Sequence, residues 1–356
     1  MHALNEKRGQ RLRRIPVFPW IARLAAWLAS LIALAGGAAA QDAAEFYKGR
    51  TLSLVVGHEV GTGYDLYGRV LARHIGRHVT GTPNVVPQNI FGGGGLHAAS
   101  WLATIAPRDG SVVAIFAHTA ILDPLLGSGL SKYDSTKFNW IGNMDETVST
   151  CVVWHTTGVD TFDELLARPT IYGGSGGPLT QFPAAIHHLL GAKGRRVQGY
   201  KGSADIKLAL QRGEIEATCG LSISTLSTQW RDVVERGKLK PVAQFGRKPH
   251  PLLGGIAHIY SYARNDDDVA IFDLIFGASS LGRPLAAPPG VPPERVAALR
   301  EGFMRTMADP AFLADAAQAK LDIQPSSGAD IQAQVAGFFS ASSAVVGRAR
   351  AAIQPD

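Results

Sequence analysis

The stretch that most constrains the fold is residues 51–76, TLSLVVGHEVGTGYDLYGRVLARHIG. Leu52, Leu54, Val55 and Val56 form an apolar strand, and Gly61 and Gly63 form a turn. Leu66, Val70, Leu71 and Ile75 then recur at helical spacing on one face. A strand that feeds a helix through a glycine turn is the building unit of a parallel sheet. It also gathers backbone N–H groups at the positive end of a helix, making an anion seat that needs no cationic side chain.

The pattern recurs along the chain. Strands are expected at 84–89, 112–117, 151–155, 170–172, 197–200, 215–219 and 241–245. Helices are expected at 96–105, from Thr180, to Arg212, at 224–236, 293–307, 310–320 and 329–352. Thr161 and Glu164 have capping-box spacing for one more helix. A second glycine turn, Gly173-Gly174-Ser175-Gly176-Gly177-Pro178, follows the first by about 110 residues. Ligands of open α/β sheets bind at the carboxyl ends of the strands. Two such domains facing each other would point helix N-termini into a common cleft.

The first 40 residues read as a cleavable signal peptide. Lys7, Arg8, Arg11, Arg13 and Arg14 form the basic region, LAAWLASLIALAGG the apolar region, and Ala38-Ala39-Ala40 the cleavage site. This apolar run is short for a spanning helix, which needs about 20 residues. The formal charge of +6 belongs mostly to this leader. Without its six basic residues and one acid, the chain holds 29 basic against 28 acidic residues, a net +1. A basic surface for nucleic acid is therefore not indicated. The expected location is the periplasm. Cys151 and Cys219 are the only cysteines, and in an oxidising compartment they pair or stay as buried thiols. Neither has metal-ligand spacing, and no metal or cofactor is expected.

The string VVGHEVGTGYDLYGR resembles the first motif of the substrate-binding proteins of tripartite tricarboxylate transporters, the TctC or Bug type. The likeness continues through Gln88-Asn89-Ile90-Phe91-Gly92-Gly93-Gly94-Gly95, Ala106-Pro107-Arg108-Asp109-Gly110, Gly199-Tyr200-Lys201-Gly202-Ser203, Arg212-Gly213-Glu214 and Ala287-Pro288-Pro289-Gly290-Val291-Pro292. It spans the chain beyond the leader, in order. The resemblance implies a two-lobed, type II-like Venus-flytrap periplasmic-binding-protein fold, α/β, with two parallel or mixed sheets and a hinge. It implies lobe 1 from 45–150 and 243–356, and lobe 2 from 151–242, with crossings near Cys151 and Val242. It further implies a monomeric receptor that holds a small organic carboxylate and hands it to membrane permease subunits.

Carried onto this chain, the ligand loops are His58 to Asp65 and Gly173 to Thr180, with Gly92 to Gly95, His118, Thr119, Tyr200, Lys201 and Gly202 alongside. Each candidate has a plainer reading. Gly61, Thr62 and Gly63 can be a structural turn, and Asp65 a helix cap. His58 and Glu59 read a distal ligand group or are loop polarity. Gly93 and Gly94 allow close backbone approach or flexibility. Ser175, Gly176, Gly177 and Thr180 offer amides and hydroxyls to an anion. Tyr200 and Lys201 end a strand, as does Ser222, whose backbone can line the same cleft. The loop departs from its relatives at His58, Glu59 and Val60, which leaves the ligand's identity open. Two alternatives are a sensor of a membrane signalling protein on the same fold and a secreted hydrolase using Ser175 in a G-x-S-x-G string. No acid–base pair can be nominated for the latter, so no enzyme is expected.

Overall fold

In the computed structural model, which describes residues 42–127 and 131–354, the alternating pattern becomes two six-stranded mixed sheets. The leader lies outside the described residues. The strands are β1 (Thr51–Val56), β2 (Asn84–Asn89), β3 (Val112–Ile115), β4 (Asn139–Asn143), β5 (Ser149–Trp154) and β6 (Ile171–Gly173). The others are β7 (Arg195–Val197), β8 (Ala217–Ser222), β9 (Leu239–Phe245), β10 (Ala257–His258), β11 (Pro284–Ala287) and β12 (Ser326–Ser327).

The first sheet has the order β12-β4-β11-β3-β1-β2 and the second β10-β9-β5-β8-β6-β7. In the first, β1 pairs parallel with β2 and β3, whereas β11 runs antiparallel between β3 and β4. In the second, β5 runs antiparallel between β8 and β9, and β6 pairs parallel with β7 and β8. Glycine turns at the ends of β1 and β6 therefore sit at carboxyl ends of parallel strands, as expected.

The chain leaves the first sheet after Asn143 and enters the second at Ser149. The expected return near Val242 falls inside β9; strand β10 also belongs to the second sheet, and re-entry to the first comes only at Pro284. Two inner strands of the first sheet, β4 and β11, lie outside the strands expected from the sequence. β4 looks polar and β11 looks proline-rich, yet every residue of β11 and four of five in β4 are buried.

One core lies between a face of the first sheet (Leu52, Leu54, Val56) and Val70, Leu71, Phe303 and Phe312 of its covering helices. Helix Gly63–Ile75 buries Tyr67, Val70, Leu71 and Ile75, while Leu66, expected on that face, is 40% exposed. The opposite sheet face (Val55, Ala114, Phe116, Trp140) belongs to a second core. That core continues into the second sheet through Phe182, Phe245, Phe272 and Phe276. A third core (Val152, Ile206, Leu210, Leu221, Trp230) backs the second sheet.

Cys151 and Cys219 are register partners on β5 and β8 and form a disulfide.

Candidate solute-binding cleft

The first loop is built around Asp65. Thr62 caps helix Gly63–Ile75 by accepting from the Asp65 amide, 3.4 Å. Asp65 reaches back to accept from the Gly61 amide at 2.9 Å, from Arg69 Nε at 2.9 Å and from Asn89 Nδ2 at 2.9 Å. Asn89 Nδ2 also donates to the His58 carbonyl. Burial works to raise the Asp65 pKa, but Arg69, Gly61 and Asn89 outweigh it and the carboxyl ends below its ordinary value. Thr62, not Asp65, caps the helix; Asp65, in its first turn, braces the loop and takes up the Gly61 amide. Gly63 and Tyr64, in the first helical turn, have amides without intrahelical acceptors. Glu59 is exposed, its carbonyl accepting from Thr62.

Three other segments gather at this loop. A Cβ built on Gly95, φ +100°, would lie 3.5 Å from His58 Cε1 and 3.3 Å from the Ala117 amide nitrogen. The turn containing Gly93 and Gly94 is therefore packed beside His58, though both glycines are exposed. Next to Ala117, His118 and Thr119 begin helix His118–Leu126. His118 is buried, and its Nε2 has no hydrogen-bond partner; nor does the buried His58 Nδ1. Burial first, and then the charge of Arg283, push both imidazoles down to about 4, so both are neutral at pH 7.

Arg283, absent from the sequence reading, joins this cluster from the chain's return into β11. It is 6% exposed, and its guanidinium lies 4.3 Å from the Tyr64 ring centroid and 4.7 Å from that of Tyr67. Nη1 donates to the Gly282 carbonyl at 2.7 Å, and Nε has no partner. His58 stacks on the Tyr64 ring, centroids 4.0 Å apart and planes 9° apart. Among the described residues Arg283 forms no ion pair. The buried Asp145 acts on it, its own pKa raised by burial against the pull of Arg283. A buried, unpaired charge costs several kcal/mol. Two aromatic faces return about 0.5–2 kcal/mol each. A lone arginine among small residues in LGRPLAAPPG gives the sequence no periodic or motif signal.

The second loop reaches this cluster through Gly177, where a Cβ would lie 3.8 Å from Thr119 Oγ1. Gly176 donates to Thr180 Oγ1, which donates to Gln198 Oε1 at 2.7 Å, so the Thr180 hydroxyl stiffens the loop. Ser175 stays half-buried before helix Pro178–Leu190. Tyr200 Cε2 lies 3.5 Å from a Cβ built on Gly173, which puts the phenol beside the loop. Lys201 is exposed; its amide donates to Asp205, and Gly202 caps helix Ser203–Arg212. Ser222 caps helix Ile223–Ser227, accepting from the Thr225 amide. The structure thus brings together His58, Gly63, Gly95, His118, Thr119 and Gly177, and leaves Glu59, Lys201 and Ser222 engaged elsewhere or exposed.

A larger cavity, about 1090 Å³, opens near the crossing between the sheets, against Thr147, Arg247, Leu252, Asp273, Gln334 and Phe338. None of the expected site residues lines it. Arg247 there is paired with Asp273 at 3.1 Å and lies over Phe338. Size favours that cavity, but the unpartnered donors and the unpaired buried cation sit at the loops, which fit an anion better.

No family model matches the chain. The UPF0065 protein of the gbd 5′ region of Cupriavidus necator is 26% identical over 294 residues, covering 80% of this chain and 83% of that one. A TctC solute-binding protein from Polaromonas, solved without ligand, superposes with a TM-score of 0.64 at 22% identity, covering 85% and 98%. R. palustris Rpa4515, solved with adipate, gives a TM-score of 0.65 at 20% identity, covering 84% and 97%. The chain has the two-lobed fold of the TctC solute-binding protein.

Proposed function

We propose that this chain is an extracytoplasmic receptor of the TctC or Bug type. It captures a small organic carboxylate between the first loop, the start of helix His118–Leu126 and the second glycine loop. It then delivers that solute to a permease of the tripartite tricarboxylate kind. The observation that carries this reading is the approach of Gly177 to Thr119. It puts loops from the two sheets at one place, beside the unpartnered His118 Nε2. The fold is shared with a protein solved with adipate. Helix N-termini and loop amides favour negative charge, and charge-assisted hydrogen bonds of about 1.5–3 kcal/mol each account for roughly micromolar affinity.

The chain acts as a monomer in the periplasm, exported by its leader, with the lobes corresponding to the two sheets.

The test is thermal denaturation of the mature protein against small organic acids, adipate among them. At about 1,000 times the Kd a solute stabilises by about 4 kcal/mol, so the midpoint rises, and it keeps rising with the logarithm of solute concentration. A panel of mono-, di- and tricarboxylates that leaves the midpoint unmoved would count against the proposal.

A further inference from the structure

Resting on the receptor reading, we propose that Arg283 is the group that meets the solute's carboxylate, and that the solute is therefore at least a dicarboxylate. Among the described residues the guanidinium is buried without an ion pair, over the Tyr64 and Tyr67 rings, with Nε unsatisfied. Two further buried nitrogens beside it, His58 Nδ1 and His118 Nε2, also lack partners. A Cβ on Gly63 would stand 3.4 Å from Arg283 Nη2, which sets the guanidinium against the first turn of helix Gly63–Ile75. Thus an unpaired cation, the starts of two helices and two neutral imidazoles surround one spot.

Arg283 Nε and one nitrogen on each imidazole have no partner among the described residues, and together they are complementary to one carboxylate. The planar guanidinium fork matches two carboxylate oxygens, whereas a lysine ammonium would offer a point charge. The neutral histidines donate or accept one hydrogen bond each, which suits a carboxylate flanked by hydroxyl or carbonyl oxygen. Asp145 acts on the same guanidinium, and its raised pKa reflects burial rather than pairing. Arg283 satisfies one end of a solute. In the second loop the Gly174 and Gly176 amides are engaged within the chain, so the start of helix Pro178–Leu190, at Gly177 near Thr119, is the place for a second anionic end.

Isothermal titration with adipate, shorter α,ω-dicarboxylates and their monoamides tests the assignment on the wild type, Arg283→Gln and Arg283→Lys. The expected result is tighter binding of a dicarboxylate than of its monoamide. Arg283→Gln should weaken that binding about 10- to 100-fold, with Arg283→Lys in between. A crystal structure of the wild type with the best dicarboxylate should place carboxylate oxygens in hydrogen-bond contact with the guanidinium. Equal affinity in wild type and folded Arg283→Gln, or a carboxylate bound away from Arg283, overturns the assignment alone. If Arg283→Gln does not fold, the wild-type complex decides. A wild type that binds a monocarboxylate but no dicarboxylate overturns this assignment and leaves the receptor reading standing; one that binds no carboxylate of any kind removes both.

Discussion

Because the Asp65 carboxylate accepts from the Gly61 amide, from Arg69 and from Asn89, its removal strands donors on three segments at once. Asp65→Ala should lower stability by about 1–3 kcal/mol in urea titration. The same variant should weaken solute binding through the loosened loop. Asp65 was legible as part of the helix start because an acid in a first helical turn is a local signal, although the cap itself is Thr62. Arg283 was not, since its meaning depends on Tyr64 and Tyr67, more than 200 residues away in sequence. The two imidazoles set a pH dependence. Their folded pKa of about 4 lies below the ordinary 6.5, so between these values the unfolded chain binds more protons. Stability should fall as pH drops from about 6.5 to 4, and less so in a His58→Gln, His118→Asn double variant. Thermal midpoints across that window, and a flat wild-type curve in particular, decide the point. Asp315, held down to about 2 by Arg73 and then His74, protects stability above the ordinary carboxyl pKa and loses it only at more acid pH.

At the scale of elements, caps and glycines fix where helices begin. The Thr161–Glu164 box forms as its spacing predicts, with Glu164 accepting from the Thr161 amide at 3.1 Å. Thr161→Ala should cost about 1 kcal/mol, read by chemical denaturation. Gly220 is a stricter requirement: φ is +95°, and a Cβ there would lie 2.4 Å from the Pro178 carbonyl oxygen. Since Pro178 opens the helix behind the second loop, Gly220→Ala should shift that loop and cost about 1–3 kcal/mol. A crystal structure of the variant with an unmoved loop would contradict this. Strands with apolar runs were readable, and so was helix Pro293–Met307. The expected helix over 329–352 breaks into Gly328–Phe339 and Ser343–Ala352, where Ser342 caps anew by accepting from the Val345 amide. β4 and β11 escaped because their burial comes from central positions in the sheet, and no periodicity records that.

For the whole molecule, the shared core bears on how the lobes move. Phe182, Phe245 and Phe276 have ring centroids 4.8–5.1 Å apart and belong to one apolar body with Phe116 and Trp140 of the first sheet. The terminal helix adds two ties: Arg350 Nη2 donates to the Leu125 carbonyl, and His188 Nδ1 contacts the Ala352 carbonyl at 3.0 Å. Free swinging of one sheet against the other would shear this core. It follows that the lobes should unfold together. Trp140 reports on the first sheet and Trp230 on the core behind the second. Urea transitions followed in variants that keep only one of these tryptophans should coincide, as two-state unfolding demands. Phe276→Ala, which opens the junction itself, should cost about 3–5 kcal/mol and lower both transitions equally. If the Trp230 signal melted first while Trp140 stayed native, the lobes would be separate cooperative units, and solute capture would then rest on hinge motion between them rather than on closure of loops over a braced frame.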